Sequence, residues 1–366
     1  MARALELAAR ARGRTSPNPM VGAVLAKDGE IVGQGFHPQA GEPHAEIFAL
    51  RQAGKRARGA TLYINLEPCC HYGRTPPCTE ALIQAGVTEV HMAMEDPNPL
   101  VHGKGRSALE AAGIRTFVGE REAQARQLNE EFIKYITTAR PFVTAKFAMS
   151  LDGKIATSTG ESRWITGEVA RRRVHELRDV SDAICVGVNT LLADDPRLTT
   201  RLDKPDVKHP LRVILDSRGR APLDARVFDP VLPGKTIVAT TAAMPAHHRA
   251  ALEAQGVGVW LLPSDDEGRV DVAALVDRLG ERVVISLMVE GGGSVLASFF
   301  EGRLVDKVLA FVAPLIIGGQ DAPTPVKGTG ASRLSGALRL ERVSVERVGE
   351  DVLIVGYLSD ESTGNE

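Results

Sequence analysis

Between His44 and Cys78 the chain carries a histidine, a carboxylate two residues on, and three of its four cysteines. The order is His44-Ala45-Glu46, a strand-like stretch over 60–66, and then Glu67-Pro68-Cys69-Cys70-His71-Tyr72-Gly73-Arg74-Thr75-Pro76-Pro77-Cys78. A fold that gathers these groups must cross one strand and then return the cysteine loop to the histidine. Pro68, Pro76 and Pro77 stiffen that loop by fixing φ. Four cysteines in 366 residues make no disulfide scaffold, and their clustering suits metal binding in a reducing compartment.

Catalytic zinc takes three protein ligands and keeps a fourth position for water, whose pKa falls towards about 7. His44, Cys69 and Cys78 are the expected ligands, for one Zn2+ per chain. Both cysteines are expected at or beside helix N-termini, where a thiolate is favoured. The period of Ala45, Phe48, Ala49 and Gln52 places His44 and Glu46 in the first turn of a helix. Glu46 is then the catalytic candidate, close enough to shuttle a proton without ligating. Two alternatives stand beside this set. Cys70 would replace Cys69, or His71 would add a fourth ligand and close the site, leaving Glu46 with no reaction to serve.

The pattern His-x-Glu followed by Pro-Cys-x-x-Cys belongs to the zinc deaminases of nucleobases, and His44-Ala45-Glu46 with Pro68-Cys69 resembles it. The second cysteine departs from that pattern, with eight residues between Cys69 and Cys78. In this longer form the loop resembles the pyrimidine deaminase of riboflavin biosynthesis. That resemblance implies a substrate pocket containing Asn18, His37, His71, Arg74 and Asn98. Asn18 would address the pyrimidine edge, because an amide both donates and accepts. Arg74 offers a forked cation suited to phosphate.

The length predicts about two domains. In the first half, strands are expected at 21–26, 31–36, 60–66, 89–93 and 114–118. They alternate with helices, the last a single helix over 120–136, as in an α/β layer structure. Arg140-Pro141 ends that helix, so the domains are placed at 1–140 and 141–366. The second half starts a new α/β series, in which a buried strand over 283–290 runs into Gly291-Gly292-Gly293-Ser294 and a helix. Such a turn brings backbone N–H groups close to phosphates, although it is not the G-x-G-x-x-G fingerprint.

Three stretches, Ser150–Lys154, Gly160–Thr166 and Ala193–Thr199, resemble the reductase half of the bifunctional riboflavin enzyme family. The whole resemblance then covers nearly all of the chain. It implies an N-terminal cytidine-deaminase-like α/β/α domain and a C-terminal dihydrofolate-reductase-like domain using NADPH. Contacts to NADPH are implied for Ala148, Trp164, Thr190, Asp194, Ser217, Gly292, Gly293, Ser294, Val295, Leu296, Ala297 and Ser298. Substrate contacts are implied for Ser162, Arg178, Leu198, Arg201 and Glu290. Asp194 is also a proton-relay candidate, and Lys146 and Lys154 are candidates for a phosphate or ribose contact.

The implied activity is hydrolytic deamination of 2,5-diamino-6-(5-phosphoribosylamino)pyrimidin-4-one, followed by reduction of the ribosyl side chain to ribityl. A zinc deaminase of another nucleobase, with a non-catalytic second domain, is the alternative. The net charge of −2, 4% aromatics and no basic–aromatic stretch speak against nucleic acid. No apolar run approaches 18 residues and no h-region opens the chain, so neither a membrane span nor a signal peptide is expected. A cytoplasmic homo-oligomer is the expectation.

Overall fold

The computed structural model describes residues 1–72 and 76–358. The chain divides into two compact units, Met1–Arg140 and Pro141–Glu366.

The first unit begins with α1 (Ala2–Ala9) and the hairpin β1 (Gly22–Lys27) and β2 (Glu30–Phe36). Asp28 and Gly29 both take positive φ, 51° and 82°, as a two-residue hairpin turn requires. Then follow α2 (Ala45–Ala53), β3 (Thr61–Ile64), α3 (Cys78–Ala85), β4 (Glu89–Met92), α4 (Lys104–Ala111), β5 (Arg115–Val118), α5 (Glu122–Leu128) and α6 (Glu130–Thr138). The strands form one mixed sheet in the order β2-β1-β3-β4-β5. β1 is antiparallel to both neighbours, while β3, β4 and β5 run parallel.

Small residues let α2 lie flat on that sheet. A Cβ at Gly33 would strike the Ala49 carbonyl, and one at Gly35 would strike Phe48 and Ala45. Ala45, Ala49, Leu62, Ile64, Leu82, Val90 and Met92 fill the space beneath. This packing fixes where the N-terminus of α2, and so His44, ends up.

The single helix expected over 120–136 is two helices broken at Asn129. The Asn129 side chain leaves helical geometry to accept from Met20 N at 2.8 Å and donate to Met20 O at 3.0 Å. Buried Asn65 grips the same strap, accepting from Gly22 N at 2.8 Å and donating to Met20 O at 2.9 Å. Two buried amides thus trade helix continuity for anchorage of residues 18–22.

The second unit contains β6 (Phe142–Ser150), α7 (Glu168–Val180), β7 (Ala183–Gly187), α8 (Val188–Asp194), β8 (Leu211–Leu215), β9 (Thr236–Thr240), α9 (Ala246–Ala254) and β10 (Gly258–Leu261). After these come α10 (Val272–Glu281), β11 (Ser286–Gly291), α11 (Gly293–Glu301), β12 (Lys307–Ala313), β13 (Leu340–Val348) and β14 (Asp351–Leu358). They build a nine-stranded sheet, β10-β9-β8-β7-β11-β6-β12-β14-β13. It is parallel from β10 to β12 and closes antiparallel through β14 and β13. β7 is buried on both faces, with Ala183 and Cys185 in one core and Ile184 and Val186 in the other. Asp271 caps α10, accepting from Ala273 N at 2.8 Å and Ala274 N at 3.3 Å.

Candidate functional site

In the first unit the ligand candidates come together around two helix starts. His44 is the N-cap of α2 and Cys78 the first residue of α3. Cys69 lies in the loop after β3, not on a helix, yet it sits beside the N-terminus of α3. Cys78 N–H donates to Cys69 Sγ at 3.4 Å, and Thr79 N–H to Cys69 O at 3.2 Å. His44 Nδ1 lies 3.2 Å from Cys78 Sγ and 3.5 Å from Cys69 Sγ. The three donor atoms fall within 4.8 Å of one another, and the group includes neither Cys70 nor His71. Tetrahedral zinc with bonds of about 2.0–2.3 Å needs donors at about this spacing.

The electrostatics call for a cation. Cys69 is held at about 4, chiefly by hydrogen bonding from Cys78 with further help from His44. Cys78 is pushed up, first by sharing its proton with Cys69 and then by burial. The hydrogen bond to Cys69 also raises His44. Two thiolates this close repel, and a divalent cation lets both ionise. Glu46, 3% exposed, has its carboxyl pushed up, first by burial and then by Cys69. A buried carboxyl beside a metal site, not itself a ligand, is suited to taking and returning a proton.

Polar groups are ordered beside the donor set, where the His37 and His44 ring centroids lie 5.5 Å apart. Asn18 Nδ2 lies 3.1 Å from His37 Nε2, and His37 Nδ1 lies 3.1 Å from Pro43 O. A carbonyl only accepts, so Nδ1 carries the proton and Nε2 accepts from Asn18. Burial lowers the His37 pKa and keeps the ring neutral. His37 therefore stands behind Asn18 and orients its amide. His71 is exposed, and Arg74 lies outside the described residues. Asn98 uses its Oδ1 to accept from Leu100 N at 3.0 Å.

Sequence reasoning missed Glu67. Its buried carboxylate accepts from the backbone N–H groups of Asp96 (3.1 Å), Gly103 (3.0 Å) and Arg106 (2.9 Å). It thereby ties the Asn98 loop to the residue before Pro68-Cys69. A Cβ at Gly105 would strike the Pro68 carbonyl, so α4 packs directly on the cysteine loop. The neighbouring Asp96 carboxyl is pushed up to about 6, chiefly by burial.

In the second unit a cavity of about 540 Å3 opens at the C-terminal ends of β6 and β11. Ala148, Ser162, Trp164, Arg178, Thr190, Asp194, Leu198, Arg201, Glu290, Gly292 and Leu296 all line it. Arg178 and Glu290 face each other through a bidentate pair, Nε–Oε1 and Nη2–Oε2 both at 2.6 Å. Beside them Lys146 is half-buried, and desolvation pushes its amine down. Ser162 Oγ donates to Asp194 Oδ1 at 3.1 Å. Trp164 is 67% exposed with the Arg171 guanidinium 4.3 Å from its ring centroid, so it belongs to the cavity rim and not to the core. Lys154 donates to Ala322 O at 3.2 Å and does not line the cavity.

Ser217, Gly293, Ser294, Val295 and Ser298 line a second cavity, which shares Gly292 with the first. Ala297 lines neither and is buried against Gly328. The glycine turn requires its glycines. Gly292 has φ +82°, and a Cβ at Gly293 would come within 2.9 Å of Lys327 Cγ and Thr324 O. The backbone of Gly292, Gly293 and Ser294 at the start of α11 lines the second cavity, so the residues fit the diphosphate of a dinucleotide.

This is a zinc-deaminase unit followed in one chain by a nucleotide-binding α/β unit. Residues 1–94 match the model of the cytidine and deoxycytidylate deaminase zinc-binding region, and residues 141–354 that of the RibD C-terminal domain. The chain is 46% identical to the riboflavin biosynthesis protein RibD of Synechocystis sp., covering 98% of this chain and 95% of that one. It is similar in structure to Acinetobacter baumannii RibD, with TM-score 0.86, 39% identity and 98% of each chain covered. A Thermotoga maritima diaminohydroxyphosphoribosylaminopyrimidine deaminase/5-amino-6-(5-phosphoribosylamino)uracil reductase has TM-score 0.85 and 39% identity, covering 98% of this chain and 97% of that one. The chain belongs to the RibD family. It is a bifunctional deaminase and reductase of riboflavin biosynthesis, using zinc and NADPH. A second domain without catalytic function, the alternative considered above, is set aside by the match over 141–354.

Proposed function

We propose that residues 1–140 hydrolyse the amino group of 2,5-diamino-6-(5-phosphoribosylamino)pyrimidin-4-one and that residues 141–366 reduce the ribosyl side chain of the product. The observation that carries the first assignment is buried Glu46 two residues from a His44–Cys69–Cys78 donor set. Zinc held by these three residues supplies the Lewis acidity that makes water nucleophilic at neutral pH. Glu46 takes a proton from the water that attacks the amino-bearing carbon and returns one to the departing ammonia. Asn18, oriented by His37, addresses the pyrimidine edge, and Asn98 lines the pocket. His71 and Arg74 belong to the loop on which a phosphate contact is most easily built.

For the second step NADPH supplies the hydride. Arg178, Glu290 and Arg201 hold the phosphorylated substrate in the larger cavity, with Ser162 and Leu198 on its wall. Ala148, Trp164 and Thr190 bound the nicotinamide side, and the turn at 292–296 with Ser298 holds the rest of the cofactor. Asp194, fixed by Ser162, is placed to relay the proton that accompanies hydride transfer.

The reading includes a cytoplasmic homo-oligomer. No helix among the described residues is long and apolar enough to cross a membrane. The edge strand β13 leaves Val343 and Val345 exposed, a surface a second copy would protect.

Incubation with the phosphoribosylated diaminopyrimidine, with and without NADPH, tests the assignment. Ammonia release without NADPH, and NADPH oxidation only after it, is expected. Glu46→Gln should lower ammonia release by at least about 100-fold, the scale of general acid–base catalysis. Unchanged release in that variant removes Glu46 from its role, and absence of NADPH oxidation removes the reductase assignment.

A further inference from the structure

Helix α7 presents one face to the larger cavity. Arg171, Val174, His175 and Arg178, spaced three or four residues apart, all line it. His175 and Arg178 also hold the segment that crosses this face. Arg178 Nη1 donates to Thr199 O at 3.2 Å, and Arg201 N–H donates to His175 Nδ1 at 3.3 Å. The second of these bonds fixes the tautomer of the histidine. A backbone N–H only donates, so Nδ1 accepts and the proton of the neutral ring lies on Nε2. The ring is held neutral, its pKa lowered to about 4 first by burial and then by Arg178 and Arg201. Nε2 has no partner among the described residues, yet it is not sealed within the protein. The cavity therefore receives an uncharged N–H donor from a ring whose other nitrogen is already engaged.

The charges along the same wall say what that donor meets. Six arginines line the cavity, and three of them are committed to neighbours. Arg163 donates to Asp194 O, Arg171 lies against Trp164 and donates to Thr166 O, and Arg178 pairs with Glu290. Arg197, Arg201 and Arg226 have no carboxylate partner among the described residues. They stand close enough to repel one another, for Arg201 is lowered first by burial and then by Arg178, Arg197 and Arg226. Like charges gathered in this way are relieved by an anion, and guanidinium forks suit a phosphate. His175 accepts from the N–H of Arg201 itself, so its ring stands beside that cluster. A neutral donor adds a hydrogen bond there without adding another repelling cation.

We propose that His175 is a specificity-determining residue of the reductase, donating from Nε2 to the 5′-phosphate of the substrate while its Nδ1 holds Arg201 in place. This role rests on the assignment of the reductase to residues 141–366, a reading that gives the histidine no part.

Three substitutions separate the two nitrogens. Asparagine reaches only the position of Nδ1, glutamine reaches that of Nε2, and alanine reaches neither. NADPH oxidation by the full-length, zinc-loaded protein is measured at saturating NADPH and constant ionic strength. The substrate is 5-amino-6-(5-phosphoribosylamino)uracil, and inorganic phosphate is the competitor. His175→Asn should raise the KM of the substrate and the Ki of phosphate together by about 10- to 100-fold, the range for a hydrogen bond to a charged group. Its kcat should stay within about threefold of wild type, since a contact made equally in ground and transition states changes KM alone. His175→Gln should bring KM and Ki back towards wild type, and His175→Ala should raise both at least as far as His175→Asn. An unchanged calorimetric affinity for NADP+ shows that each variant is folded. Unchanged KM and Ki in His175→Asn would overturn the proposal. So would a KM that rises while the Ki of phosphate does not, which moves the contact to the ribose or the base. A fall in kcat and in NADP+ affinity that glutamine does not rescue marks a merely structural histidine and overturns it too. Failure of phosphate to compete in the wild-type protein overturns it but leaves the reductase assignment standing. Absence of NADPH oxidation in the wild-type protein removes that assignment and the proposal together.

Discussion

Glu67 carries more of the deaminase site than its distance from the chemistry suggests, and Glu67→Ala measures how much. Its Oε2 accepts from Asp96 N and Gly103 N, and its Oε1 from Arg106 N. Alanine leaves three backbone donors without partners in a place where Glu67 itself is 3% exposed. Each orphaned donor costs about 1–3 kcal/mol when fully buried. Two of these bonds are only part-buried, and water entering the vacated space satisfies some of the loss, so a total of about 3 kcal/mol is expected. Glu67→Gln keeps one accepting oxygen and turns an amino group towards a donor. Its cost should be about 1–2 kcal/mol. Amide hydrogen exchange on the full-length protein reads the effect at the three donors directly. Since about 1.4 kcal/mol corresponds to tenfold, Asp96, Gly103 and Arg106 should lose about 100-fold protection in the alanine variant if they exchange through unfolding of this region. Asn98 belongs to the released loop, so the KM for ammonia release should rise as well. Protection within about threefold of wild type at all three amides would refute the claim that this carboxylate pins the loop.

Two further outcomes follow from the electrostatics. Treatment with a zinc chelator should abolish ammonia release, and added Zn2+ should restore it, while calorimetric NADP+ binding stays unchanged because no group of metal-ligand candidates lies beyond Cys78 among the described residues. His175 is held down to about 4, first by burial and then by Arg178 and Arg201. The unfolded chain, with histidine near 6.5, therefore takes up this proton first as pH falls. Stability from neutral His175 is complete above about 6.5 and is lost as pH falls towards about 4. The ring is only half buried, so solvent screening reduces the effect to about 1 kcal/mol. Urea denaturation of wild type and His175→Gln at pH 4.5 and 7.5 should show a smaller acid penalty in the variant, and equal penalties would refute the assignment.

The donor set His44, Cys69 and Cys78 was legible in the sequence because metal ligation demands particular atoms, and Pro68 and Pro77 leave few ways to present them. The alternation of strands and helices was legible for a similar reason, since Ala183–Gly187 and Ser286–Gly291 are apolar runs bounded by turn residues. The break at Asn129 was not legible. Ala125, Phe132 and Ile133 keep a helical period across it, and what interrupts the helix is a partner 109 positions away, Met20. Glu67 was hidden by its neighbours, because beside Pro68-Cys69 it looks like part of a ligand loop and its three donors come from residues 96–106. The exposed strand Leu340–Val348 was missed because an edge strand whose side chains lie mostly in solvent shows no apolar face. In each case the local pattern was read correctly as far as it went, and a long-range hydrogen bond or a solvent-facing edge decided the rest.

The two cavity systems invert one another electrostatically, and that inversion bears on what each can hold. Around Cys69 and Cys78 the nearby groups are two thiols and the carboxyls of Glu46, Glu67 and Asp96. Burial pushes Glu46 and Asp96 up, and repulsion from Cys69 adds to the rise in both. Such a set lets both sulfurs ionise only with a cation among the ligands. In the larger cavity of the second unit, Lys146 and six arginines line the wall against Asp194, Asp195 and Glu290. Arg178 and Glu290 satisfy each other, so the surplus is positive, and desolvation lowers both Lys146 and Arg201. That wall is relieved by an anion, and a phosphorylated substrate supplies one. A chain of net charge −2 therefore holds one site that calls for a cation and another that calls for anions. The overall charge conceals both because they cancel in the sum.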